Sequence, residues 1–221
     1  MERHFDGELI DLKKDLLQMA VFVQEAIAGS LEALKGLSRE QAQKIIDDDK
    51  EIDDWELKID EECLELLALR QPMAADLRFI TMAMKISTDL ERMADLAVDI
   101  AQRVLELVGK PLLKQLVDIP KLTQLAQMVT KDVTEAFVNK DPDMAGKVIL
   151  LDNEADRLRN DVQKELIEYM KKDGSTAPRA VPLILMARHL ERICDHATNI
   201  AEDIIYMVQA KVVKHHPEEI N

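Results

Sequence analysis

The chain repeats itself, and the repeat limits what it is able to fold into. Lys44-x-Ile46-x-x-Asp49-x-Glu51-x-Asp53 returns 103 residues later as Lys147-x-Ile149-x-x-Asp152-x-Glu154-x-Asp156. Leu90-Glu91-Arg92-x-x-Asp95-x-Ala97-x-x-Ile100-Ala101 returns 100 residues later as Leu190-Glu191-Arg192-x-x-Asp195-x-Ala197-x-x-Ile200-Ala201. The small discrepancy in offset falls between the two motifs, where a hairpin turn absorbs it. Two long patterns kept in order at nearly one offset define a duplicated unit.

Apolar residues within each copy follow the helical period. The few breakers divide the chain into six segments, at Gly36-Leu37-Ser38, Arg70-Gln71-Pro72, Gly109-Lys110-Pro111, Lys140-Asp141-Pro142 and Asp173 to Pro178. Aromatics make up only 3% of the chain, and sheets lean on aromatic and β-branched residues, so a β-rich class is excluded. Ser38 and Asp141, themselves 103 residues apart, are N-cap residues, with Pro142 at the first helical position. The segments run to roughly 30 residues, or about 45 Å as helices. Pro120 shortens or kinks the fourth. Short connections between long helices imply antiparallel neighbours. The expected fold is all-α: two tandem three-helix bundles, residues 1–109 and 110–221, related by a pseudo-twofold.

A net charge of −14 repels a polyphosphate backbone, so nucleic-acid binding is not expected. Free phosphate is repelled too unless a cation intervenes. The longest uncharged stretches, Leu16–Gln24 and Leu122–Thr130, have nine residues each. A membrane span needs about 20, so no direct membrane insertion is expected. The acidic start also lacks the apolar core of a signal peptide. Cys63 and Cys194 stand apart with no C-x-x-C and read as free thiols.

The chemistry lies in the acids. On the third segment Phe79, Ala83, Ile86, Leu90, Met93, Ala97, Ile100 and Val104 form the core stripe. Glu91, Asp95 and Asp99 sit one residue on, about 100° around the helix, in a row beside the core. The sixth segment repeats the row with Glu191, Asp195 and Asn199, beside Leu190, Ile193, Ala197, Ile200 and Ile204. The second segment carries Asp49 and Asp53, and the fifth Asp152 and Asp156. Like charges at i,i+4 destabilise a helix by roughly 0.2–0.5 kcal/mol per pair. Counted from the turn at Gln71, Asp53 and Asp49 lie 18 and 22 residues before it, and Glu91 and Asp95 lie 20 and 24 after it. Around Gly174 the distances are 18 and 22 for Asp156 and Asp152, and 17 and 21 for Glu191 and Asp195. In each half, four carboxylates from adjacent helices should therefore meet at one level.

A run of acids is ordinarily a solvated face. Two facing pairs at matched height, in both halves, weigh against that. Converging carboxylates call for a cation, and oxygen ligands without thiolate suit Mg²⁺, Mn²⁺, Ca²⁺ or ferric iron. Other residues have plainer readings. Cys194 reads as packing. His196, whose counterpart is Leu96, ranks low as a ligand. Arg92 and Arg192 adjoin the acids as salt-bridge partners. Trp55, Met19, Met82, Met84 and Met128 read as core, and His215 and His216 as a surface tail.

The sequence resembles the PhoU family of bacterial phosphate-uptake and phosphate-signalling regulators over essentially its whole length, from Phe5 to about Val208. The resemblance is carried by Arg70-Gln71-Pro72 with Asp76-Leu77-Arg78, by Lys85-Ile86-Ser87-Thr88-Asp89-Leu90-Glu91-Arg92, and by Leu190-Glu191-Arg192 with Asn199-Ile200-Ala201. It implies two three-helix bundles whose E(D)-x-x-x-D motifs hold metal ions, iron, manganese or magnesium, singly or as clusters. Those motifs correspond here to Asp49/Asp53, Glu91/Asp95, Asp152/Asp156 and Glu191/Asp195. Asn199 in place of a third acid makes the second site weaker in charge. The resemblance further implies a cytoplasmic adaptor, commonly a homodimer, between the ATPase subunit of the phosphate ABC transporter and a membrane sensor histidine kinase. Such adaptors repress phosphate-starvation genes when phosphate is plentiful.

Two other classes compete. A metal-free helical scaffold would need the acids only as a solvated surface. A carboxylate-bridged di-metal enzyme would need inward Glu-x-x-His pairs, and the sequence has none. Nor does it hold a Ser–His–Asp set or a phosphate-cradling Gly-rich loop, so no enzyme is expected.

Overall fold

The computed structural model describes residues 2–113 and 116–212, and His215 and His216 lie outside them. Six α-helices follow one another: α1 Glu2–Gly36, α2 Arg39–Arg70, α3 Ala74–Leu107, α4 Asp118–Asn139, α5 Pro142–Lys172 and α6 Ala177–Gln209. A 3-10 turn, Gly174–Thr176, leads into α6, and the described residues contain no strand.

The breaks fall at the expected breakers for local reasons. Ser38 Oγ accepts a hydrogen bond from the Gln41 N–H at 3.2 Å, and Asp141 Oδ1 accepts from Asp143 and Met144 at 3.0 Å each. These three N–H groups are among the orphan donors that every helix start must satisfy. Gln71 and Lys140 close α2 and α4 in the left-handed conformation, and Gly109 turns the chain after α3 at φ 81. Pro120 lies in the first turn of α4, where its missing N–H has no partner to lose. It marks the start of a helix of only 22 residues.

Helices α1, α2 and α3 pack as one bundle and α4, α5 and α6 as the other; the halves meet mainly through α3 on α6, and also through α1 on α4. Along the α3–α6 seam Arg78 Nε donates to the Met207 carbonyl at 3.1 Å and Lys85 pairs with buried Asp203. Further along, Asp89 meets His196 at 2.8 Å and Asp99 approaches His189 at 3.6 Å. Positions rise on α3 as they fall on α6, so these equivalent helices cross antiparallel, the arrangement produced by a twofold perpendicular to them. One continuous core runs through both halves.

Every residue of the two anticipated stripes is buried. A second row also turns inward at spacings of seven: Ile80, Ser87, Ala94 and Ala101 on α3, and Ala180, Ala187, Cys194 and Ala201 on α6. Cys194 thus fills the place of Ala94 as a small apolar side chain, and both cysteines are free and buried. Met19 and Met82 are core and Met84 packs against it. Trp55 is half-buried beside Phe22, with the Lys58 ammonium 4.4 Å over its ring. Met128 corrects the sequence reading, because it is 43% exposed. It lies at the rim of a groove that α4 forms with Val21 and Ala28 of α1.

Candidate metal centre

In the first repeat Ile52 and Ile59 seat α2 on the core, leaving Asp49, Asp53 and Glu56 to flank α3. On α3 the apolar stripe holds Glu91, Asp95 and Asp99 on the adjoining face. Asp49, Glu56 and Glu91 are half-buried, whereas Asp53 and Asp95 are exposed. Burial pushes the Asp49 carboxyl up to about 6, and the charges of Asp53 and Asp95 add to the rise. Burial likewise takes Glu91 to about 7, reinforced by Asp95, Glu56 and Asp53. Asp95 is raised by burial and by Asp53 and Asp99, against a hydrogen bond from Glu91 and the charge of Arg92. Charges of one sign crowd this level, and each makes its neighbours harder to ionise.

The second repeat gathers Asp152 and Asp156 from α5 with Glu191 and Asp195 from α6. Asp152 is raised by burial and by Asp156, and its hydrogen bond with Asp195 opposes that. Asp195 rises to about 6 through burial, then through Glu191, Asp152 and Asp156, with His196 drawing it back. Here the chain also supplies a cation. Arg159 Nη2 stands 2.6 Å from Asp156 Oδ1 and 2.9 Å from Glu191 Oε1, linking α5 to α6. Burial raises Glu191, and Arg159 is the largest influence against it.

The structure therefore brings together the eight motif carboxylates in two groups of four, paired across the helices as the turn counting predicts. Asp99 acts on Asp95 and also faces His189, whose imidazole burial pushes down against the pull of Asp99. Asn199 is half-buried at the place equivalent to Asp99. His196 borders the second group but bonds Asp89 of α3. Arg92 is felt at Asp95 and Arg192 at His189. Three participants escape a reading of the motifs alone: Glu56, Arg159 and His189. The repeat itself was the available signal, because Glu56 and Arg159 are equivalent positions of opposite charge, as are Asp89 and His189 in acid and base character.

Among the described residues no three His, Cys, Asp or Glu side chains form a ready-made ligand set. The backbone gathers the acids on facing helices, and their side chains do not converge as a set of three or more ligands. The first group fits a hard cation in donor chemistry: its donors are all oxygen, and Arg92 acts on Asp95 through its charge and not through a hydrogen bond. The second fits less well, since a guanidinium already holds two of its four carboxylates.

Two packed three-helix units, each with an interhelical carboxylate group, define a duplicated helical-bundle protein with paired acidic centres. The PhoU domain matches residues 16–104 and again 119–204. The chain belongs to the PhoU family. It is 40% identical over 208 residues to the phosphate-specific transport system accessory protein PhoU homolog of Aquifex aeolicus, covering 94% of each chain. To the homolog of Rhizobium meliloti it is 36% identical over 204 residues, covering 92% of this chain and 86% of that one. The crystal structure of PhoU from Pseudomonas aeruginosa superposes with a TM-score of 0.90 at 35% identity, over 94% of this chain and 100% of that one. The phosphate transport system regulatory protein PhoU from Streptococcus pneumoniae gives 0.89 at 31%, over 95% and 99%.

Proposed function

We propose that this protein is a metal-binding regulator of phosphate uptake and signalling. It acts in the cytoplasm, as a homodimer, between the ATPase subunit of the phosphate ABC transporter and a membrane sensor histidine kinase. It keeps phosphate-starvation genes off when phosphate is plentiful. The observation that carries this reading is the meeting of four carboxylates at one level in both halves of a PhoU chain, with Glu91 held near neutrality. Asp49, Asp53, Glu91, Asp95 and Asp99 would hold the ion of the first centre, iron, manganese or magnesium. Asp152, Asp156, Glu191, Asp195 and Asn199 would hold that of the second. The ion supplies positive charge at an acidic surface, where it is able to attract an anion or a partner's carboxylates.

No described helix is long and apolar enough to cross a membrane. A chain of charge −14 is also repelled by anionic lipid, so it reaches the transporter through protein contacts. Long helices with short connections give a broad, rigid docking surface. The test is twofold. Elemental analysis of protein purified without chelator or affinity metal should find iron, manganese or magnesium. Deleting the gene should raise starvation-gene expression in high phosphate, and removing the sensor kinase as well should abolish that rise. Metal-free protein together with unchanged expression would overturn the proposal.

A further inference from the structure

The geometry points to Arg159 as a built-in counter-cation that takes an ion's place in the second carboxylate group, leaving the first as the tight metal centre. This inference rests on the metal-binding reading above. A single nitrogen, Nη2, bridges Asp156 on α5 and Glu191 on α6 at 2.6 and 2.9 Å. Those two residues correspond to Asp53 and Glu91 in the first repeat, and the position corresponding to Arg159 is Glu56. One repeat therefore puts a negative charge beside Glu91, and the other puts a positive charge on Glu191. With Asp99 replaced by Asn199, six acids in the first group face four acids and one guanidinium in the second.

Ligand charge count is a main determinant of affinity for hard cations. An ion entering the second group must first displace Arg159 from two charge-assisted hydrogen bonds, each among the stronger kinds in proteins. The guanidinium is poorly placed to leave. Its Nη1 also donates to Asn160 Oδ1 at 2.8 Å, a third contact that holds the group in place.

The test is a titration of the full-length, chelator-stripped protein with Mn²⁺, following free Mn²⁺ by electron paramagnetic resonance and heat by calorimetry. Wild-type protein should show a tight class of sites and a second class at least tenfold weaker. Glu91→Gln with Asp95→Asn should remove the tight class only. Arg159→Gln should tighten the weak class about tenfold, and Glu56→Arg should weaken the tight class by a similar factor. Circular dichroism establishes that each variant is folded. Should Arg159→Gln not fold, Glu56→Arg decides alone, because it installs the same counter-cation in the other repeat. Two equally tight classes in wild-type protein, or a weak class unmoved by Arg159→Gln, overturn this inference and leave the metal reading standing. No Mn²⁺ bound by wild type or any variant overturns both.

Discussion

His196 of α6 meets Asp89 of α3 across the seam between the repeats, its Nδ1 2.8 Å from the carboxylate. Both side chains are largely shielded, at 12% and 17% exposure. His196→Leu, which copies Leu96 of the first repeat, leaves that carboxylate without its partner. A hydrogen bond to a charged group contributes about 1.5–3 kcal/mol, which lowers the melting temperature by about 3–12 °C at this chain length. A double-mutant cycle with Asp89→Leu should return a favourable coupling; strictly additive losses would show that the pair does not hold the seam.

The caps provide a second test. Asp141→Ala removes the acceptor for the Asp143 and Met144 N–H groups and should cost about 1 kcal/mol. Ser38→Ala should behave similarly in the first repeat. Urea unfolding measures both, and a gain in stability from either would contradict the assigned role.

The carboxylate groups set the direction of a pH effect. Glu91 titrates at about 7, and Asp49 and Asp195 at about 6, all raised first by burial. Their folded forms retain protons that unfolded carboxyls release near pH 4. More protons are bound in the folded state between about pH 4 and 7, so this contribution is complete below the unfolded values. It is lost as pH rises through 6 and 7. In chelator, the melting temperature of wild type relative to Glu91→Gln should fall from pH 5 to pH 8. A wild-type melting temperature that rises relative to the variant over that range contradicts the assignment.

Metal and proton compete for the same oxygens. Mn²⁺ should raise the melting temperature of wild-type protein more at pH 8 than at pH 5, with protons released on binding. Glu91→Gln with Asp95→Asn should be more stable than wild type in chelator and should lose most of the Mn²⁺ response. Calorimetry in buffers of different ionisation enthalpy counts the protons. Uptake in place of release would reverse the picture.

The helices were legible because caps, breakers and apolar period agree locally, down to Pro120 in the first turn of α4. The pairing of Asp49 with Asp95 and of Asp152 with Asp195 was legible from counting residues out from a turn, since antiparallel helices keep level. Exposure at Met128 was not, because periodicity gives direction around a helix and not the reach of its neighbours. Arg159 and His189 were missed for a related reason. Their partners lie on other helices, at distances set by a long side chain in one case and by the docking of the repeats in the other. Only a residue-by-residue comparison of the two repeats, looking for differences rather than likenesses, would have singled them out.

The seam carries one more consequence. Helix α3 packs against α1 and α2 of its own half and against α6 of the other, so a solitary repeat would leave part of that helix wet. Two copies of such a half would cover each other through crossed antiparallel α3 helices, a self-complementary dimer. Joining them in one chain turns a meeting that depends on dilution into an intramolecular one. It also releases the halves from identity. A symmetric dimer must carry the same residue on both sides, whereas the fused chain sets Glu56 against one group of acids and Arg159 against the other, an inequality no homodimer of halves is able to encode.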